Sequence, residues 1–359
     1  MMTIKPTPHA KSDSYKEIMS QGDVWLSVLQ ELRQSPPVDG LLVKKSQKPF
    51  WLFVGCGTSF YLAEAAAASW TLLTGEPARA LPASELLLYP GLMGSDTTDL
   101  RAVVISRSGR TSEAVRAARV LRQELHIPAV GITCAEKSEL EAACDSTLVL
   151  KAADEKSMVM TRSFTSMLIS LQWLAAERAG KIAFRQSLET MAAQFTTRIE
   201  SLAAPMEEFV LRHSFEDYIF LGQGPFHSIA REAALKVMEM SCSYSQSFHT
   251  LEFRHGPKAI VSPRTALTFF ISQTGQSAEV EVLEEMKELG GVTISVCNTA
   301  NEHIRNVSDL VLELNLPGDE LALLAPHIVP SQWMGFFTGI GKGFNPDQPK
   351  NLTRVVVLD

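Results

Sequence analysis

The sequence predicts an α/β protein made of two tandem, doubly wound parallel-sheet units, each flavodoxin-like and three-layered. Three observations lead there. The chain repeats itself, apolar strand-like runs alternate with alanine-rich helical stretches, and glycine- and hydroxyl-rich turns stand where those strands end.

The repeat is direct. FVGCGTSFYLAEAA, starting at Phe53, is similar to FLGQGPFHSIAREAA, starting at Phe220, with Gly55 and Gly57 matching Gly222 and Gly224 at a separation of 222 minus 55, or 167. AVVISRSGRTSEAV, starting at Ala102, pairs in the same order with LTFFISQTGQSAEV, starting at Leu267. Here Ser106, Ser108, Gly109 and Thr111 match Ser272, Thr274, Gly275 and Ser277 at a separation of 166. Two matches in one order at nearly one separation mark a duplicated unit.

The alternation follows the same division. Further strand-like runs recur at Ala129 to Thr133 and Val292 to Cys297, each after a helical stretch, so both halves read strand, turn, helix in repetition. That order implies parallel sheets covered by helices on both faces. The expected organisation is an N-terminal helical segment (1–47), a first unit (48–200), a second unit (201–340) and a tail (341–359) that closes over the site. Tyr15 to Arg33 reads as one amphipathic helix ended by Ser35-Pro36-Pro37, and the tail ends in a strand-like run, Val355 to Leu358.

Composition narrows the class. With 359 residues, 45% of them hydrophobic and 20% charged, the chain can bury cores for two domains. A net charge of -7 argues against nucleic acid or an anionic membrane as partner. The five cysteines form no CxxC pair, which suggests neither disulfides nor a zinc ribbon. No apolar signal segment opens the chain, and the apolar stretch Leu321 to Gly341 carries Pro326, His327 and Pro330, so it reads as a buried helix. A cytoplasmic protein without metal or cofactor is expected.

The turns carry the ligand. Ser106-Arg107-Ser108-Gly109-Arg110-Thr111 stands between the run AVVI and the helical SEAVRAARVLRQEL. Such a turn, at the end of a parallel strand and the start of a helix, offers free N–H groups, a favourable dipole and hydroxyl donors, which suit a phosphate. The same residue types also cap helices that bind nothing. A second turn in the same unit, Gly55-Cys56-Gly57-Thr58-Ser59, favours the anion site, while Phe60 in place of a third glycine excludes a dinucleotide fingerprint.

In the second unit Glu232, Lys236 and Glu239 lie at i, i+4 and i+7, on one face of a helix. Such a face is often a solvated ion-pair ladder. Here the flanks Ala233, Ala234, Leu235, Val237, Met238 and Met240 are apolar, which points to burial and to tuned carboxylates. His249, Glu252 and His255 have no established zinc spacing, so His255 reads as an acid-base group and no metal is expected.

On these residues the chain resembles the sugar isomerase (SIS) domain family, in its duplicated form. It resembles the isomerase half of glucosamine-6-phosphate synthase and stand-alone amino sugar phosphate deaminases and isomerases. The motifs are GCGTS at Gly55, SRSGRT at Ser106, MTRSFTS at Met160, EAALKVME at Glu232, EFRHGP at Glu252 and DQPKNL at Asp347. The resemblance implies a sugar phosphate held by Gly57, Thr58, Ser59, Ser106, Arg107, Ser108, Thr111 and Thr161. It further implies that Glu239 moves a proton between C1 and C2, with Glu232 and Lys236 beside it. His255 opens the sugar ring, is donated across a homodimer interface, and so implies at least a dimer.

Three departures separate the chain from the synthase. It begins MMTIK, without a glutaminase nucleophile, so ammonia from glutamine is not expected. The tail position matching an imine-forming lysine is Arg354; a guanidinium is no imine nucleophile, so Arg354 is expected to bind the substrate through a hydroxyl or to close the tail over the site. Arg107 and Arg110 replace the glutamine and glutamate of the synthase turn, suggesting tighter anion holding. The expected reaction is isomerisation with deamination of an amino sugar phosphate of the glucosamine 6-phosphate type to a ketose phosphate and ammonia. A plain aldose-ketose isomerase, a deglycase and a non-catalytic sugar phosphate sensor remain open alternatives.

Overall fold

A computed structural model of the chain describes residues 8–34, 49–94, 97 and 99–358. Two helices, α1 (Asp13–Met19) and α2 (Gln21–Gln34), precede the first sheet. The first unit then runs β1 (Phe50–Gly55), α3 (Thr58–Thr74), β2 (Ala78–Pro82), α4 (Ala83–Leu88), β3 (Leu100–Ile105), α5 (Ser112–Arg119), β4 (Ala129–Thr133), α6 (Glu139–Ala143), β5 (Ser146–Val149) and α7 (Arg162–Ala179). The long α8 (Ile182–Arg212) leads to the second unit. That unit comprises β6 (Asp217–Gly222), α9 (Pro225–Ser241), β7 (Tyr244–His249), β8 (Thr265–Phe270), α10 (Gln276–Glu288), β9 (Val292–Cys297), α11 (Glu302–Val307), β10 (Leu310–Glu313) and α12 (Leu324–Gly341).

Every strand pairing is parallel, in the orders β2-β1-β3-β4-β5 and β10-β9-β8-β6-β7. Read from its other edge, the second sheet is β7-β6-β8-β9-β10, the winding of the first. The expected fold class is therefore the observed one, and the predicted runs at 129–133 and 292–297 are β4 and β9. The central strands β3 and β8 are buried at every position but Arg101, because helices cover both faces.

The duplicated Gly-x-Gly has one conformation in both halves. Gly57 (φ 53°, ψ -126°) and Gly224 (φ 56°, ψ -129°) open α3 and α9 in a region of backbone space open in practice to glycine alone. Gly55 and Gly222 let each strand end touch the first turn of that helix, where a Cβ would strike the carbonyl of Ser59 or Phe226.

One core spans both units: Trp25, Phe53, Trp70 and Phe164 belong to the same cluster as Phe220, Ile229 and Trp333. The equivalent helices α3 and α9 pack against each other at its centre. Two smaller clusters fill the outer faces, one under α5 and one under α10.

Three local expectations are corrected. Tyr15 to Arg33 is two helices, broken at Ser20, whose hydroxyl donates to the Glu17 carbonyl. Just beyond the break Gly22 lies so close to Thr196 of α8 that a Cβ would not fit. Val355 to Leu358 is irregular, because it lies across the start of α5, with the Ser112 N–H donating to the Val356 carbonyl and the Leu358 N–H to Ser112 Oγ. The line expected between 200 and 201 falls inside α8. Ser35, Pro36 and Pro37 lie outside the described residues. Leu321 to Gly341 is a buried helix from Leu324 onward, and among the described residues no helix is long and apolar enough to cross a membrane.

Candidate functional site

In the first sheet β1 and β3 are neighbours, yet α3 packs on one face and α5 on the other. The crevice between their carboxyl ends is the place where such folds bind ligands. Both predicted turns open into it: Gly55 to Ser59 follows β1, and Ser106 to Thr111 follows β3.

The β3 turn is closed on itself, Ser106 Oγ donating to Thr111 Oγ1 at 3.4 Å and Ser108 Oγ accepting from the Arg110 N–H at 3.2 Å. Gly109 has φ 61°, and a Cβ there would strike Ser138. Among the described residues the backbone N–H groups of Arg107, Ser108 and Thr111 make no protein hydrogen bond, so three donors remain for an anion.

Two residues expected at the phosphate point elsewhere. Arg107 is 5% exposed and its guanidinium meets Glu155 at 3.5 Å, donating also to the Met158 and Arg354 carbonyls. Thr161 is fully buried, with its N–H and hydroxyl both donating to Glu155 Oε1 at 2.7 Å. A buried carboxylate demands such partners, and Glu155 takes them from the residues assigned to the ligand. Arg110, by contrast, is exposed beside the turn.

The tail is fastened over this region. Arg354 donates to Asp154 at 3.1 Å and to the Glu155 carbonyl. Asp347 of the same tail caps α1, accepting from Ser12 Oγ and the Ser14 N–H at 2.7 Å each. Burial alone would raise its pKa, but these bonds hold it below the usual carboxylate value.

The acid-base face comes to the first unit through α3 and α9. Lys236, fully buried, lies 3.2 Å from Glu232 Oε1, 3.1 Å from Thr58 Oγ1 and in a short contact with Glu239 Oε2. Thr58 Oγ1 donates in turn to Glu232 at 3.3 Å. Burial opposes the Lys236 charge, but the two carboxylates outweigh it and raise its pKa. Glu232 is pushed up to about 8 by burial, Lys236 lowering and Glu239 raising it. The buried Lys236 ammonium thus faces two carboxyl groups, of which burial makes Glu232 the harder to ionise. Glu239 is the exposed member at 19%, against 0% for the other two, so it is the group a ligand can reach.

The close approach that fixes this helix rests on residues the sequence reading passed over. Gly335 and Gly339 of α12 face α9, and a Cβ at Gly335 would lie 2.8 Å from the Lys236 carbonyl. The spacing Gly-x3-Gly in an apolar helix was the available signal. Glu155 was also missed, and nothing in its local sequence marks it. His255 is exposed, and among the described residues it is not a hydrogen-bond or ion-pair partner of Glu232, Lys236 or Glu239. No group of three metal-ligating side chains comes together among the described residues.

Two flavodoxin-like sheets, a turn with unpaired N–H groups at one switch point and a buried Glu232, Lys236 and Glu239 cluster tied to the first unit through Thr58 make up the candidate site. The chain belongs to the SIS domain family, whose model matches residues 46–177 and 216–329. A glutamine–fructose-6-phosphate aminotransferase (isomerizing) from Pyrobaculum aerophilum is 30% identical over 317 residues, 85% of this chain and 51% of that protein. The chain thus spans about half the length of the curated relatives it matches. A glucosamine-6-phosphate deaminase from Thermotoga maritima aligns over 97% of this chain and 100% of its own, with a TM-score of 0.78 and 26% identity. A tagatose-6-phosphate ketose/aldose isomerase from Escherichia coli shares the fold, with a TM-score of 0.83, 21% identity, and 97% and 98% of the two chains covered.

Proposed function

We propose that this chain is a cytoplasmic phosphosugar isomerase that deaminates an amino sugar phosphate of the glucosamine 6-phosphate type, releasing a ketose phosphate and ammonia. The observation that carries the reading is the Thr58, Glu232, Lys236 and Glu239 cluster, in which one partly exposed carboxylate is served by a buried ammonium. The phosphate takes the free N–H groups of the Ser106 to Thr111 turn, with Ser59 and Gly57 beside it.

Aldose to ketose conversion moves one proton between adjacent carbons, so one carboxylate over C1 and C2 acts as base and then as acid. Glu239 has that role. Lys236 positions it, and the imine product is hydrolysed by water. Arg354, held by Asp154, is no imine nucleophile, so no covalent intermediate forms there. His255, free on the surface of its own chain, opens the sugar ring of a second copy in a homodimer.

The similarity to a glucosamine-6-phosphate deaminase over the full length of that chain supports the deaminating reading. The test is ammonia release from glucosamine 6-phosphate by the purified protein. Glu239→Gln is expected to lower turnover roughly 100- to 10,000-fold, the usual contribution of a general acid-base group, while keeping the substrate affinity. Ketose formation from a 2-hydroxy aldose phosphate, with no ammonia from glucosamine 6-phosphate, marks a plain isomerase, and binding without turnover in the native chain marks a sensor.

A further inference from the structure

The second unit has its own switch-point crevice, between β6 and β8, and it is a cavity of about 720 Å³. That is within the roughly 300–1,000 Å³ of small-molecule sites. Its walls include Gln223, Phe226, Gln273, Thr274 and Glu320, with Leu72 reaching in from the first unit. By the duplication, it stands where the first unit has its phosphate turn.

What differs is the occupant of the donors. Glu320 accepts from the N–H groups of Gln273 and Thr274, the latter at 3.0 Å, and from Thr274 Oγ1 at 2.6 Å. Glu279 accepts from the Ser272 N–H at 2.7 Å and from Ser272 Oγ at 3.0 Å. The Ser272, Gln273 and Thr274 N–H groups are thus met by carboxylates of the chain itself, whereas the N–H groups of Arg107 and Ser108, which match Gln273 and Thr274, make no protein hydrogen bond among the described residues. One carboxylate across three convergent donors of a loop is the arrangement a bound phosphate oxygen pair adopts.

The strand registers show how the second turn differs in length. Val54 pairs with Val104 and Leu221 with Phe269, a strand separation of 269 minus 104, or 165, against 166 for the turn residues. The second loop therefore carries one extra residue, yet it still presents its donors to the crevice.

We propose that the crevice of the second unit is a second phosphomonoester site whose anion position is held in the native chain by Glu320. A phosphate dianion and the Glu320 carboxylate compete for the same donors and repel each other. Glu320 is therefore the residue that confines phosphate to the first unit. The residue opens the short 3-10 turn Glu320–Leu323 that leads into α12, the helix lying on Lys236.

The test is the number of inorganic phosphate ions bound per chain, by calorimetric titration, for the native protein, Glu320→Ala and Glu320→Gln. Each form is also made with Ser108→Ala and Thr111→Val in the first turn. Both Glu320 variants are expected to bind one phosphate more than the native chain, and to keep that extra site when the first turn is altered. Glu320→Gln retains an acceptor for Gln273 and Thr274, so it preserves the loop if the alanine variant misfolds. The proposal is overturned if folded Glu320→Gln gains no site, if the gained site vanishes with the first-turn changes, or if the native chain already fills the second crevice. The comparison reads a difference between variants, so it is independent of what the first turn binds.

Discussion

Thr58 Oγ1 lies 3.1 Å from Lys236 Nζ although 178 residues separate them, and it joins the first turn of one unit to the acid-base helix of the other. The proposed site is thus neither in the first half nor in the second. It exists where α3 meets α9.

Lys236 is the element on which the cluster balances. Lys236→Met leaves Glu232 and Glu239 without their cation, and removal of one partner of a buried pair costs about 3–5 kcal/mol. Urea unfolding is expected to show that loss. Adding Glu232→Gln should recover part of it, because the two residues are coupled; strictly additive effects would refute the buried ion cluster.

The two classes of residue in the β3 turn separate by assay. Ser108→Ala and Thr111→Val are expected to raise KM for a sugar phosphate roughly 10- to 100-fold, since each charge-assisted hydrogen bond contributes about 1.5–3 kcal/mol. Arg107→Met, in contrast, strands the buried Glu155 and should lower the unfolding free energy by about 3–5 kcal/mol. A stable Arg107→Met protein with impaired binding alone would return Arg107 to the phosphate.

Stability has a pH signature. Burial raises Glu232 to about 8 and Glu279 to about 7, from 4.5, so the folded chain binds more protons than the unfolded chain between those values. The contribution is fully present below about 4.5 and is lost as pH rises through the folded values. His227 and His327, lowered by burial to about 4 from 6.5, act in the opposite sense, but only below 6.5. Unfolding free energy is therefore expected to fall from pH 6.5 to 8.5. A flatter profile is expected for Glu232→Gln with Glu279→Gln, and an unchanged slope in that double variant would contradict the assignment.

The contact of α12 with α9 leaves no room for a methyl group. Gly339→Ala is expected to cost about 1–3 kcal/mol by overpacking and, because α9 carries Glu239, to lower kcat as well. Thermal unfolding and turnover measure the two effects. A stability loss with full kcat would detach the helix contact from the chemistry.

The fold was legible because its signals are local and repeated. Gly55, Gly57, Gly222 and Gly224 are required by backbone geometry, and apolar runs such as AVVI and LTFF can only be covered strands. The acid-base face was legible too, since Glu232, Lys236 and Glu239 share one helix. That Arg107 and Thr161 meet Glu155 was not legible, because tertiary packing brings that partner to them and spacing carries no trace of it. Asp347 at the start of α1 and Glu320 at the second turn are likewise long-range contacts, 335 residues from Ser12 and 46 from Thr274. The tail run Val355 to Leu358 has strand composition, but it joins neither sheet and meets Ser112 instead.

The connecting helix α8 has a practical meaning for anyone who would divide the molecule. Over its 31 residues it extends about 46 Å without a break, and Phe195, Ile199, Leu202 and Met206 form one buried stripe straight through the middle. A gene fragment that stops at residue 200 would end on an unsealed greasy seam, and the fragment that starts at 201 would begin with the other half of it. The halves repeat one another in sequence and winding, yet each fragment would carry its own share of that stripe uncovered.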